Sequence, residues 1–174
     1  VVGRLPGAEY MGAVAIAAVI MNVLYASLNF LRMGTTGLTA QSFGARDSDQ
    51  MRSWLARACM LSVVLGLGLV ALQVPILSLS HWLMAPSDAV WPLTESYFQI
   101  RIWGAPAALL NFALLGWFFG VQDMRSALYA QVFLNGMNIV LDVWFVLGLG
   151  WGVDGVAWAT IISEYSAVLL GFWL

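Results

Sequence analysis

Four polar side chains recur at helical intervals along one otherwise apolar stretch of the chain. They are Gln131, Asn135, Asn138 and Asp142. Their spacing of four, three and four residues places them on one face of a helix, opposite an apolar face. Amide and carboxylate groups in this arrangement can bind a cation or exchange a proton. We predict that Asn138 and Asp142 couple ion movement and that Gln131 and Asn135 line a cavity.

Asp142 lies well inside this stretch, about seven residues or roughly 10 Å from its end. In a membrane, a carboxylate at that depth is costly unless it is protonated, paired or facing a water-filled cavity. A structural alternative is that the asparagines join helices by hydrogen bonds while Asp142 pairs with an arginine. Acidic residues inside membranes are candidate functional sites by default, which favours ion coupling.

A second acidic residue, Glu164, lies in the last apolar stretch, and Thr160 precedes it by one turn on the same helix face. Asn111 lies within an earlier apolar stretch. We predict that all three contribute to a substrate cavity. The alternative for Glu164 is an ion pair with Arg101 or a position near the lipid interface. Arg101 itself could contact substrate, but a structural ion pair or an extension towards the outer surface explains it at least as well.

The sequence contains few residues or motifs that could support enzymatic catalysis. Its single histidine, His81, lies in a polar break, and its single cysteine, Cys59, lies in an apolar run. No Ser-His or Cys-His pair can therefore form inside the apolar stretches, and a nucleophile needs such a base within reach. Phosphate-binding, dinucleotide-binding and zinc-binding motifs are absent from the sequence. We predict no enzymatic activity and no cofactor, so energy would come from an ion gradient or a partner protein.

Composition identifies the solvent of this chain. Charged residues make up 9% of the 174 residues, hydrophobic residues make up 61%, and the mean hydropathy is +0.86. Soluble domains carry about a quarter charged residues, so this chain could not cover a water-facing surface. The net charge of −2 also provides no electrostatic footprint for nucleic acid. The sequence therefore predicts an α-helical protein that crosses a membrane several times, with lipid as its surroundings.

Turn residues divide the apolar sequence into helices long enough to cross roughly 30 Å of hydrocarbon. The predicted helices span 1–5 (the end of a first helix), 9–43, 51–80, 90–122, 125–149 and 155–174. The second of these is long enough to be tilted or kinked. Because both chain ends fall in apolar sequence, we expect a fragment of a longer protein whose first and sixth helices are truncated.

Arginine predicts the orientation, since the chain contains no lysine. The breaks near 44–53 and 122–126, with the adjoining helix ends, carry four of the seven arginines, and the breaks on the opposite side carry only Arg4. Cytoplasmic loops are enriched in positive charge. We therefore expect those two breaks to be cytoplasmic, in a multi-pass protein of the cell (inner) membrane.

Three segments resemble one family of transporters. The segment 38–46, Leu-Thr-Ala-Gln-Ser-Phe-Gly-Ala-Arg, resembles the cytoplasmic turn of multidrug and toxic compound extrusion (MATE) transporters. Segment 135–144 is similar to their fifth helix, and segment 150–160 is similar to the glycine-rich turn into their sixth. Segments 31–41 and 141–144 resemble the DinF-like branch more narrowly. The similarity extends over the whole chain, in order and with matching spacing.

The resemblance implies twelve helices in two six-helix lobes, with residues 1–174 forming most of the N-terminal lobe and a C-terminal lobe of the same chain as its partner. It implies export of small organic, often cationic, compounds in exchange for H⁺ or Na⁺. The positions that match the family's N-lobe cavity are Tyr97, Asn138, Asp142 and Thr160. The family's acidic residue on the first helix would lie just before Val1.

Two other functions remain open at this point. A lipid-linked oligosaccharide flippase of the same broad superfamily would share the helix count and the lobe design. Its cavity should be strongly cationic to hold a pyrophosphate, and this chain offers only Arg101 and Arg32. The other alternative is a non-transporting channel or assembly subunit. A channel would require polar faces on several helices, but here polarity concentrates on 131–142 and its neighbours.

Overall fold

The computed structural model describes residues 8–174, and all regular structure within that range is helical. The predicted helix end at 1–5 lies outside the described residues. The α-helices are α1 (Ala8–Ser27), α2 (Phe30–Gly44), α3 (Ser48–Ala71), α4 (Gln73–Met84), α5 (Trp91–Arg101), α6 (Ala105–Gly120), α7 (Met124–Asp142) and α8 (Gly152–Trp173). A 3₁₀ turn (Ile102–Gly104) joins α5 to α6, and π-helical turns (Val143–Gly148) extend α7.

These helices form five segments that are long and apolar enough to cross a membrane within the described range: Glu9–Gly44, Ser48–Ala71, Trp91–Gly120, Met124–Gly148 and Gly152–Trp173. The first contains 36 residues, or about 54 Å of helix, which exceeds the bilayer core. A turn at 28–29 divides it into α1 and α2. A tilted or kinked helix is expected at 9–43, and this turn interrupts it.

The helix predicted at 51–80 differs from the observed structure at both ends and in the middle. Helix α3 begins at Ser48, because the Asp47 side chain caps it by accepting a hydrogen bond from the Gln50 backbone N–H at 2.9 Å. The helix breaks at Leu72 and continues as α4 to Met84. Pro75 explains the break, since a proline lacks the N–H that would bond the carbonyl of Ala71 and its ring clashes with that carbonyl.

The segment predicted as one helix at 125–149 combines an α-helix with π-helical turns. Helix α7 begins after Asp123, whose carboxylate accepts hydrogen bonds from the Ser126 backbone N–H and hydroxyl at 3.1 and 2.7 Å. These bonds hold the pKa of Asp123 below its ordinary value. The α-helical geometry ends at Asp142, and wider π-helical turns follow. Such turns are rare in proteins, and where they do occur they are frequently at functional sites.

Helix α6 lies at the centre of the bundle and packs against α2, α3 and α8. Helix α5 packs against α1 and α8, and α7 packs mainly against α8. Small residues allow the closest approaches, as is usual in membranes, where association depends on tight packing. A Cβ on Gly116 would lie 2.5 Å from the Arg32 carbonyl oxygen, and one on Gly120 would lie 2.6 Å from the Thr39 Cβ. Gly66 on α3 lies similarly close to the backbone of Pro106.

Candidate functional site

A side-chain hydrogen bond joins α7 to α8 at the predicted ion site. The Asn138 Nδ2 donates to the Thr160 Oγ1 at 3.2 Å, and the Thr160 hydroxyl donates to the Val156 carbonyl at 2.9 Å. Both side chains are partly buried. The two predicted residues therefore lie together, and the Thr160 hydroxyl is oriented by its own helix.

Asp142 follows Asn138 by one turn and is the last residue of α7 before the π-helical turns. The residue is partly exposed, but its Oδ1 is buried and has no hydrogen-bond partner within the described part of the chain. A buried carboxylate oxygen without a donor is costly, so it is a strong acceptor for a cation or a proton. The arginine partner that the structural alternative required for Asp142 is not seen among the described side chains.

Tyr97 approaches the same region from α5. It is 7% exposed and packs with Ala17 on α1 and with Val146 and Val156 near the α7–α8 connection. Tyr97 therefore packs against the π-helical turns that follow Asp142.

Gln131 and Asn135 share the helix face predicted for them but lie outside this contact. Both are exposed, and the Asn135 Nδ2 donates to the Gln131 carbonyl of its own helix at 2.9 Å. Periodicity placed the four residues correctly on one face of α7. It could not show where α8 stops covering that face.

Asn111 and Glu164 are buried and hydrogen-bonded to protein groups in the described structure. The Arg101 guanidinium donates to both carboxylate oxygens of Glu164, at 2.9 and 2.5 Å. The Asn111 Nδ2 donates to the Glu164 backbone carbonyl at 3.0 Å. The ion-pair alternative for Glu164 and Arg101 is therefore the observed arrangement. Two opposite charges removed from water are stable only when they are paired and hydrogen-bonded.

Sequence reasoning missed two residues of this cluster. Tyr25 on α1 places its ring 5.6 Å from the Arg101 Cζ, and its hydroxyl is buried without a hydrogen-bond partner in residues 8–174. Gly104 leaves space for the ion pair, since a Cβ there would lie 2.5 Å from the Arg101 Nη1. The proline at 106 was a signal for the nearby turn, but no signal in the sequence marked Tyr25.

A large cavity in the described structure lies away from these residues. Its volume is about 870 Å³, and it opens between α4, α5 and α8, lined by Trp91, Trp103 and Trp158 with Glu95 and Gln99. None of the residues predicted for the ion site lines it. Within residues 8–174 there is also no group of three or more His, Cys, Asp or Glu side chains that could hold a metal ion. The candidate ligands at Asp142, Asn138 and Thr160 are oxygen donors, which suit a hard cation or a proton.

Five apolar spans with a polar contact buried between two of them define a multi-pass membrane protein. The MatE family profile matches residues 1–144. This chain belongs to the MATE family, as the motifs predicted, and neither its relatives nor its structural neighbours are enzymes.

The relatives also support the DinF-like branch. The chain is 41% identical over 171 residues to DNA damage-inducible protein F of Escherichia coli K12, covering 98% of this chain and 37% of that protein. It is 31% identical over 184 residues to the chloroplastic protein DETOXIFICATION 44 of Arabidopsis thaliana, covering 99% of this chain and 35% of that one.

Solved structures confirm the predicted fold class. A MATE protein in complex with MaD3S matches with a TM-score of 0.90 at 29% identity, covering 99% of this chain and 39% of that one. An outward-facing multidrug resistance MATE transporter of the MOP superfamily matches with a TM-score of 0.88 at 28% identity, covering 96% and 37%. The chain thus spans less than two fifths of the length of the relatives it matches.

Proposed function

We propose that this chain is part of a secondary active efflux transporter that exports organic, often cationic, compounds in exchange for H⁺ or Na⁺. Asp142 and Asn138 are its ion-coupling residues. The observation that carries this proposal is the Asn138–Thr160 hydrogen bond, one turn from a buried Asp142 oxygen that lacks a partner in the described range. Membership in the MATE family supports the transport class.

The proposed mechanism follows from the position of Asp142 at the end of α7. When the carboxylate binds a proton or Na⁺, the cost of its charge in the membrane falls, and its preferred hydrogen bonds change. Asn138 already bonds to α8 through Thr160, so a change at Asp142 alters how α7 packs against α8. An ion that stabilises one of two packings shifts the equilibrium towards it, which couples ion movement to drug release.

The flippase alternative loses support from the Arg101–Glu164 ion pair. A pyrophosphate site needs free positive charge, and the guanidinium of Arg101 is already bonded to both carboxylate oxygens of Glu164. Of the two arginines considered for binding a pyrophosphate, this leaves only Arg32. The described part of the chain therefore favours cationic or neutral organic substrates over anionic lipid-linked sugars.

We further propose that residues 1–174 act together with a C-terminal lobe of the same full-length chain. The breaks at 45–47 and 121–123, which adjoin Arg46, Arg52, Arg57 and Arg125, face the cytoplasm of a cell (inner) membrane. The excess of arginine on this side of the bundle supports that orientation. Cysteine labelling at 46 and at 88 in intact cells tests it, because only position 88 should react with an impermeant reagent.

The proposed coupling is tested with Asp142→Asn in the full-length transporter, reconstituted in vesicles with a fluorescent organic cation. We expect efflux driven by a pH or Na⁺ gradient to fall by about a hundredfold or more, because a positioned proton-transfer group typically contributes at least that much to a rate. Asp88→Asn, at an exposed turn position, is the matched control and should leave efflux unchanged. Normal efflux and normal ion dependence in Asp142→Asn would refute the proposal.

A further inference from the structure

The buried ion pair between α5 and α8 lies close to the proposed ion site. The side chains of Arg101 and Glu164 are each 9% exposed, and two hydrogen bonds join them in a bidentate arrangement. Such a pair has little freedom, because the planar guanidinium meets both carboxylate oxygens at once. The relative position of the two helices is therefore specified at this point along their length.

The residues around the Arg101–Glu164 ion pair allow α8 to approach the α5–α6 segment closely. The chain turns into a 3₁₀ segment directly after Arg101, and Gly104 in that segment lies against both partners. A Cβ at Gly104 would lie 2.6 Å from the Glu164 Oε2. Asn111 on α6 bonds the Glu164 backbone carbonyl, and the Tyr165 hydroxyl donates to the Trp103 carbonyl at 3.1 Å. The ion pair and these two hydrogen bonds thus hold α8 against α5, the 3₁₀ turn and α6.

These contacts act on the same face of α8 that carries Thr160. Glu164 follows Thr160 by four residues, so the two side chains lie one turn apart on one side of the helix. A shift of α8 by a single residue would move this face by about 1.5 Å and rotate it by about 100°. Either displacement would break the 3.2 Å hydrogen bond between Asn138 and Thr160.

We propose that the Arg101–Glu164 ion pair is the positioning element of the ion site: it sets the register of α8 against α5 and thereby holds Thr160 opposite Asn138. Neither charged group contacts the ion. This inference rests on the proposed function, because it assigns a role towards the ion site at Asp142 and Asn138. It differs from a purely stabilising role in one measurable respect, namely that loss of the pair lowers ion affinity as well as stability.

The test uses thermal unfolding of the full-length protein in detergent, titrated with Na⁺ at fixed pH and with pH at fixed Na⁺. A ligand that binds the native state stabilises it by RT ln(1 + [L]/Kd), so the stabilisation reaches RT ln 2 when the ion concentration equals its Kd. This concentration, called the titration midpoint below, reports ion affinity separately from basal stability. We expect Glu164→Gln to lower the basal Tm and to shift the midpoint by roughly tenfold, as loss of an outer-shell partner does at metal sites. The exchanged pair Arg101→Glu with Glu164→Arg should restore part of the midpoint shift.

Gly104→Ala provides a milder variant that keeps both charged groups, should Glu164→Gln fail to fold. The added methyl group crowds the pair, and we expect a smaller midpoint shift in the same direction. Gly171→Ala is its matched control on α8, because its Cβ would meet the Leu114 side chain at 2.9 Å, far from the pair. The control should lower the Tm without moving the midpoint.

The outcomes separate this inference from the proposed function. If Asp142→Asn abolishes the ion response while Glu164→Gln and Gly104→Ala lower only the basal Tm, the positioning role is refuted and the proposed function stands. If Asp142→Asn leaves the ion response intact, the proposed function fails, and the positioning role fails with it. A midpoint shift in both pair variants, absent from Gly171→Ala, supports the positioning role.

Discussion

The packing of α2 against α6 offers a prediction whose magnitude follows from distances. In Gly116→Ala, the new Cβ would lie 2.5 Å from the Arg32 carbonyl oxygen and 3.0 Å from the Thr35 Cβ. A carbon and a carbonyl oxygen in contact are ordinarily about 3.3 Å apart or more, so the helices must separate by roughly 0.8 Å. The opposing atom belongs to the backbone and cannot rotate away.

The expected cost combines two opposing effects. Overpacking a tight interface costs about 1–3 kcal/mol, and the upper end applies here because a whole helix must move. Replacing a helical glycine by alanine returns up to about 1 kcal/mol. We therefore expect Gly116→Ala to destabilise the protein by about 2 kcal/mol.

The assay is denaturant unfolding of the full-length protein in mixed micelles, followed by intrinsic fluorescence. Gly68→Ala on α3 is the matched control, because no atom of residues 8–174 beyond its chain neighbours and its own helix backbone lies within 4 Å of its added Cβ. This control should be neutral or slightly stabilising. Equal effects of the two substitutions would show that glycine propensity, and not the α2–α6 contact, determines the outcome, and would refute the steric reasoning.

Three further predictions concern single side chains. Thr160→Val removes the hydrogen bond from Asn138, so it should lower the free energy of unfolding by about 0.6 kcal/mol and weaken the stabilisation by ions. Thr160→Ser keeps the hydroxyl and should keep both the stability and the ion response, which a titration of the Tm with ions checks. Asp123→Ala should lower the Tm at neutral pH, because it removes the cap that the carboxylate forms with Ser126. Folding depresses the Asp123 pKa, so the Tm difference from wild type should persist above about pH 4, the ordinary aspartate pKa, and should vanish as the pH falls through the folded-state pKa. Tyr25→Phe should be neutral or stabilising by on the order of 1 kcal/mol in equilibrium unfolding, because the hydroxyl has no partner in the described range; marked destabilisation would reveal one.

Local pattern was sufficient to predict the membrane class and the approximate helices. Composition excluded a water-facing surface, and uncharged runs located the spans, because a bilayer imposes nearly uniform requirements on every spanning segment. The helix bounds differ from the prediction where a local rule acts on the chain. Pro75 breaks the segment predicted at 51–80, and Asp47 caps it earlier than expected. The π-helical turns after Asp142 had no local signal beyond the glycine-rich sequence that follows.

The candidate site was predictable only in part. Helical periodicity grouped Asn138 with Asp142, because a fixed repeat determines which residues of one helix share a face. It also grouped Gln131 and Asn135 with them, although both are exposed and lie outside the contact. Periodicity does not determine how far a neighbouring helix extends along that face.

The sequence by itself determined that this chain crosses a membrane and that a carboxylate lies within one span, since both depend on residue type and spacing along one helix. Only the tertiary structure decided the partners. It joined Asn138 to Thr160, and of the two alternatives for Glu164 it showed the ion pair with Arg101. Residues far apart in sequence meet through helix packing, which depends on volumes and close approaches such as that at Gly104. That packing is a property of all the helices together.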